Sequence, residues 1–265
     1  MTDELVLLQK KKKRRKRLIA WICVTMALVL LFGVCTWYLG DYYRADRAAI
    51  EAYAPIYEMD FYVRENGSVV FEPENAVAGL IFYPGGKVEH TAYIPLMAAC
   101  AKEGILCVIV EMPFRLAVLD TNAADGIRED FPNVKNWYIG GHSLGGSMAA
   151  SYLKKNAEGF DGLILLGAYA TADLSETELQ VLSIYGSEDG VMNREKYEKY
   201  KGNLPDDLIE VELIGGCHAY FGAYGEQKGD GTPILSQQEQ ISLTAEQIGA
   251  LVLGKDGHGC PLKES

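Results

Sequence analysis

Few side chains in this chain are of the kind that build a metal centre. There are four histidines and six cysteines in 265 residues, and the cysteines show neither the spacing of a disulfide framework nor a CxxC pair. Cys23 and Cys35 fall inside an apolar run, Cys100 and Cys107 read as small core residues, and no bridge is expected with Cys217 or Cys260. Internal repeats are missing, and one basic run is the only low-complexity segment, so repeat architectures are excluded. A basic face is missing as well. Net charge is −11, and Lys10 to Arg17 supply eight positive charges in a row against Asp3 and Glu4 alone. The first 40 residues thus carry +6 and the remaining 225 carry −17. An acidic body of that kind repels nucleic acid, and no nucleic-acid partner is expected.

What is present begins with a long hydrophobic run. Leu18 to Leu39 (LIAWICVTMALVLLFGVCTWYL) holds 22 residues without Asp, Glu, Lys, Arg or His. As a helix rising about 1.5 Å per residue it spans roughly 30 Å of hydrocarbon. Trp21 at one end and Trp37 and Tyr38 at the other suit the two interfaces. A cleaved signal peptide has a shorter apolar region, about 7–15 residues, and a small-residue cleavage site. No A-x-A site follows here, and Phe32-Gly33-Val34 before Cys35 matches a lipoprotein signal poorly. The expectation is an uncleaved, single-pass anchor in the cell membrane. Residues 1–17 form a basic cytoplasmic tail, 18–39 the span, 40–57 a juxtamembrane helix or linker, and 58–265 an extracytoplasmic domain.

That domain alternates strands and helices. Met59–Val63 and Ser68–Phe71 flank Glu65-Asn66-Gly67, whose Asn-Gly signals a hairpin. Short runs, apolar nearly throughout, follow at Ala78–Tyr83, Ile105–Val110, Trp137–Gly140, Gly162–Leu166, Val181–Tyr185 and Ile209–Ile214. Such runs suit strands covered on both faces by helices. Tyr93–Lys102, Leu144–Lys155, Arg194–Lys201 and Gln237–Leu253 have helical periodicity. The order predicts an α/β fold around a mostly parallel twisted sheet.

The sharpest chemical signal is Gly141-His142-Ser143-Leu144-Gly145, placed where a strand ends and a helix begins. A serine on such a strained turn needs small residues two before and two after it for clearance, and the helix behind it offers N–H groups to a developing oxyanion. Ser143 then needs a base, and the base an orienting acid. Val181–Tyr185 runs into Gly186-Ser187-Glu188-Asp189-Gly190, where Asp189 fits best and Glu188 is its rival. Ile209–Ile214 runs into Gly215-Gly216-Cys217-His218, and His218 is the histidine suitably placed for the base. Cys217 reads as packing. Tyr83-Pro84-Gly85-Gly86-Lys87 follows the strand before, so Gly86 and Leu144 are the candidate oxyanion donors, with Lys87 the alternative to Gly86.

These residues resemble the α/β-hydrolase superfamily, and within it a small bacterial lidless branch similar to dienelactone-hydrolase-like proteins. The resemblance rests on PGGKVEHTAY (Pro84–Tyr93), EMPFRLAV (Glu111–Val118), GGHSLGG (Gly140–Gly146), SIYGSEDG (Ser183–Gly190), GGCHAYFGAYG (Gly215–Gly225) and GDG (Gly229–Gly231). It implies the α/β-hydrolase fold, with Ser143, Asp189 and His218 as nucleophile, acid and base. Gly167 to Gln180 leaves 14 residues where a lid is usually inserted, too few for a cap domain. An open site is expected, walled by Pro113-Phe114-Arg115 and Tyr220-Phe221, unless those aromatics merely pack. Arg115 and Lys87 are either solvated charges or attractors for an anionic substrate. The expected reaction is hydrolysis of a carboxylic ester or related acyl bond of a small molecule, with no metal or organic cofactor. An acyltransferase would use the same triad, and a non-catalytic binding module would keep only the shell.

Overall fold

The computed structural model describes residues 2–57 and 60–254. Met59, expected at the start of the first strand, and the tail holding His258 and Cys260 lie outside them. The chain divides into two units, separated between Tyr42 and Tyr43.

The first unit is one helix, α1 (Thr2–Gly40), which continues unbroken through the basic run into the apolar one. Its Trp21, Leu30, Phe32 and Trp37 are each at least 70% exposed. From Lys10 to Gly40 it is long and apolar enough to cross a membrane.

The second unit holds an eight-stranded sheet in the order β1-β2-β4-β3-β5-β6-β7-β8. β1 (Tyr62–Val63) and β2 (Val69–Phe71) form the hairpin the Asn-Gly pair predicts, and β2 runs antiparallel to β4. Gly67 turns it at φ 83°, a left-handed value that favours glycine. All other pairings are parallel, among β3 (Ala78–Tyr83), β4 (Ile105–Ile109), β5 (Asn136–His142), β6 (Gly162–Leu166), β7 (Gln180–Gly186) and β8 (Ile209–Leu213). β5 extends to His142, so the elbow serine follows the strand directly. Ile214 falls beyond β8 and is exposed.

Two cores explain why these strands are apolar on both faces. Leu80, Phe82, Cys107, Ile109, Ile164, Leu166, Leu182 and Ile184 point into one cluster. Their alternates Ile81, Tyr83, Leu106, Val108, Leu163, Leu165 and Val181 point into the other. The period of two in a strand sends successive side chains to opposite faces. The first face is covered by α3 (Ile94–Lys102) and α6 (Gln237–Leu253), the second by α4 (Leu144–Asn156). α5 (Arg194–Tyr200) follows the β7 turn.

Residues 43–57 belong to this unit. Tyr43 makes a parallel bridge to Val88, its N–H donating to the Lys87 carbonyl (2.8 Å) and its carbonyl accepting from Glu89 (2.9 Å). α2 (Arg47–Tyr57) buries Tyr53, whose hydroxyl donates to Gln237 Oε1 at 3.2 Å.

Candidate active site

Six parallel strands end at one edge of the sheet, and their C-terminal turns carry the residues singled out above. β5 passes into α4 through Ser143, which sits at φ 52°, ψ −121°. A non-glycine residue holds such angles only where its surroundings enforce them. Here the Ser143 N–H donates to the Leu166 carbonyl (2.9 Å), and a Cβ on Gly145 would lie 2.1 Å from the Tyr83 carbonyl oxygen. Any larger residue at 145 would push the elbow off β3. Leu144 opens α4, so its N–H has no intrahelical acceptor.

The turn after β7 delivers Asp189, and the turn after β8 delivers His218. His218 Nδ1 lies 2.8 Å from Asp189 Oδ2. A carboxylate only accepts, so Nδ1 carries a proton, and in the neutral ring Nε2 is the acceptor nitrogen. Asp189 Oδ1 accepts the N–H groups of Met192 (2.8 Å) and Val191 (2.9 Å). Burial pushes the Asp189 carboxyl up. The His218 hydrogen bond and charge, with the Met192 and Val191 amides, outweigh it and hold the carboxyl below its ordinary value. Glu188, the rival acid, accepts the Ser187 hydroxyl instead (3.0 Å).

His218 Nε2 is buried and has no hydrogen-bond partner, so no bond joins it to Ser143 Oγ. The residues nevertheless share one place. A Cβ on Gly167 would lie 2.9 Å from His218 Nδ1 and 3.1 Å from Asp189 Oδ2, and Gly167 directly follows the residue that binds the Ser143 amide.

The loop after β3 separates the candidate oxyanion donors. Lys87, at φ 60°, donates its N–H to the Arg115 carbonyl at 2.8 Å. That amide is therefore engaged within the protein. The Gly85 N–H is used as well, on the Tyr93 hydroxyl (3.0 Å). Gly86 lies against Leu144, where an added Cβ would come within 2.9 Å of the Leu144 side chain.

A cavity of about 230 Å³ opens beside Ser143, lined by Leu144, Ser147, Gly167, Ala168, Tyr169, Val191, Met192 and Asn193. None of these is charged. Two of the expected wall residues do not line this cavity. Phe221 is wholly buried in the first core, and Phe114 is exposed beside a separate cavity with Glu111 and Asp120. The connection between β6 and β7, residues 167–179, carries no helix.

Behind the base lies a buried pair that the sequence did not reveal. The Tyr93 hydroxyl accepts from Gly85 and meets His142 Nδ1 at 2.8 Å, and the His142 and His218 rings are 4.4 Å apart. Burial raises the Tyr93 pKa, so the phenol keeps its proton and donates it to Nδ1. Burial first, then repulsion from His218, lowers the His142 pKa well below 6.5. Cys217 is pushed up to about 12 by burial and then by the charge of Asp230, which leaves it an inert thiol. Among the described residues, no cluster of His, Cys, Asp or Glu is arranged to hold a metal ion.

The chain belongs to the alpha/beta hydrolase family, whose model matches residues 79–242. Solved structures share its fold. One is a CIB-like hydrolase from Thermoplasma acidophilum, with 16% identity and a TM-score of 0.52 over 72% of this chain and 99% of that one. Another is dienelactone hydrolase from Anabaena variabilis, with 14% identity and a TM-score of 0.50 over 71% and 96%. The esterase domain of a Rhodothermus marinus protein has 12% identity and a TM-score of 0.54 over 73% and 96%. No curated protein matches the sequence. Likeness at such identity speaks for the fold alone.

Proposed function

We propose that this chain is a serine hydrolase that cleaves a carboxylic ester, or a related acyl bond, through an acyl-enzyme. The observation that carries the reading is the His218–Asp189 pair at 2.8 Å, with its acceptor nitrogen unpaired and Ser143 on a strained elbow next to it. Ser143 Oγ attacks the acyl carbon while His218 Nε2 takes its proton. Asp189 holds the ring in the required tautomer and offsets the charge the ring gains. The Gly86 and Leu144 amides receive the oxyanion, each donor typically worth about 3–4 kcal/mol to the transition state. His218 then returns the proton to the leaving group, and water repeats the sequence to release the acid. Catalytic hydrogen bonds in unliganded sites are often long and tighten when substrate binds, which accommodates the open Ser143–His218 contact. The uncharged cavity lining favours a small, neutral acyl group.

We also assign α1 the role of an uncleaved membrane anchor, with the basic end in the cytoplasm and the catalytic unit outside. The eight consecutive cations beside the apolar run support that orientation.

The test of the catalytic reading is covalent. A fluorophosphonate probe should label the detergent-solubilised full-length chain at one site, and Ser143→Ala should abolish the labelling. Labelling that survives the substitution would refute Ser143 as nucleophile. Short acyl esters, thioesters and lactones, assayed on the same preparation, then define the bond that is cleaved.

A further inference from the structure

The Gly229-Asp230-Gly231 motif has no place in the chemistry above, yet its carboxylate reaches both turns on which that chemistry depends. Asp230 Oδ1 accepts the N–H of Gly190 (3.1 Å), the N–H of His218 (3.1 Å) and the N–H of its neighbour Gly231 (3.0 Å). Oδ2 accepts the N–H of Ala219 at 2.8 Å. Gly190 follows the acid Asp189, and His218 is the base. One side chain therefore ties the backbone beside the acid to the backbone of the base.

The packing around it leaves no slack. A Cβ on Gly190 would lie 2.5 Å from the Gly229 carbonyl oxygen, and one on Gly231 would lie 2.1 Å from the Glu188 carbonyl oxygen. The Gly231 N–H also donates to that Glu188 carbonyl (3.1 Å). Gly231 thus lets the loop lie flush against the acid turn, while Gly229 serves the left-handed φ of 91° and has open space where a Cβ would be. The side-chain bond between Asp189 and His218 is a single contact about which the ring can swing. The Asp230 carboxylate supplies the second point of attachment, on the main chain, which removes that freedom.

We propose that Asp230 is a positioning residue that fixes His218 against Asp189 and so holds the base at the distance proton transfer from Ser143 requires. The proposal rests on the triad reading, and the experiment separates the two. Asparagine at 230 is nearly isosteric, but it offers one acceptor oxygen where the carboxylate offers two, and it turns an N–H donor toward another donor.

Full-length wild type, Asp230→Asn and Ser143→Ala are compared in detergent with a fluorophosphonate probe, recording both the rate constant and the final extent of labelling. Misplacing a catalytic group by about 1 Å costs on the order of 100-fold. Asp230→Asn should therefore label about 10- to 100-fold more slowly than wild type, yet reach the same extent. A residue that only supports folding would lower the extent and leave the rate constant per labelled site unchanged, and that result overturns the proposal. Amide hydrogen exchange on the same proteins reads the clamp without any chemistry. Exchange in Asp230→Asn should accelerate across residues 187–192 and 215–222 and nowhere else. Unchanged exchange there refutes the clamp, whether or not the probe reacts. If wild type is not labelled, or Ser143→Ala still is, the triad reading fails and exchange alone judges the clamp. Should Asp230→Asn not fold, Gly190→Ala separates the same two loops from the other side. It should show the same slowed labelling, and wild-type kinetics in that variant would count against the proposal.

Discussion

Ser143 holds a backbone conformation that costs about 1–3 kcal/mol in an ordinary residue, and Gly141 and Gly145, two positions to either side, carry no Cβ because one there would lie 2.5 Å and 2.1 Å from the Tyr83 carbonyl oxygen. His142, its neighbour, is held differently. It is buried between Tyr93 and His218 and kept neutral, with its Nδ1 accepting from the phenol. A histidine whose folded pKa lies below its unfolded value binds a proton more readily when the chain unfolds. Its contribution to stability is complete above about pH 6.5 and falls as the pH drops below that, at up to about 1.4 kcal/mol per pH unit. Asp189, whose carboxyl is depressed, contributes in a different window. Its stabilisation is lost only as pH falls below about 3.9. His142→Gln keeps an acceptor for Tyr93 and removes the titration. Thermal unfolding between pH 7 and pH 5 should show a steeper loss of stability in wild type than in His142→Gln. Parallel slopes would mean that the ring is protonated in the folded protein.

α6 illustrates what a single element does for the site. Ser236 accepts the Glu239 N–H, and the Glu239 carboxylate returns to the Ser236 N–H, closing a capping box at its N-terminus. One turn on, Gln240 is fully buried and holds the turn that carries His218 from both sides. Its Oε1 accepts from the Cys217 N–H (2.9 Å), and its Nε2 donates to the Cys217 carbonyl (2.7 Å). Ser236→Ala should remove about 1 kcal/mol of stability, which for a unit of this size lowers Tm by about 2–4 °C. Calorimetry checks the shift. The rate constant for labelling Ser143 should stay at the wild-type value, because the cap supports the helix and not the chemistry directly.

For the molecule as a whole, the question is where the α/β-hydrolase unit begins. Tyr43 is paired with Val88 in the loop after β3 and Tyr53 is buried in the core, although the family match starts only at residue 79. Deleting residues 2–40 should release the chain from membranes that survive alkaline carbonate extraction, leaving a folded, probe-reactive protein. Deleting residues 2–59 as well removes the Tyr43–Val88 pairing and an aromatic whose burial is worth roughly 2 kcal/mol. That shorter chain should unfold at lower temperature or fail to accumulate. Equal melting temperatures for the two truncations would mean that residues 43–57 contribute nothing to the unit.

Strands β3 to β7 were legible because they are apolar nearly throughout, as helix-covered strands of a parallel sheet are, whereas β8 alternates, with Glu210 and Glu212 between its apolar residues. The elbow, the acid turn and the base turn were legible for a related reason. Each reads as a local break, glycine against a strand end, that makes sense within a few residues. Sequence alone therefore determined the class of fold and singled out Ser143, Asp189 and His218 as candidates. Only the tertiary structure decided that Asp189 and not Glu188 meets the imidazole, that Lys87 has spent its amide on Arg115, and that Phe221 packs in the core. It alone brought Asp230, Gln240 and Tyr93 to the site. Those residues act across 10 to 50 positions of chain, through contacts that no local pattern encodes, because a hydrogen bond is set by distance in space and a motif by distance along the backbone.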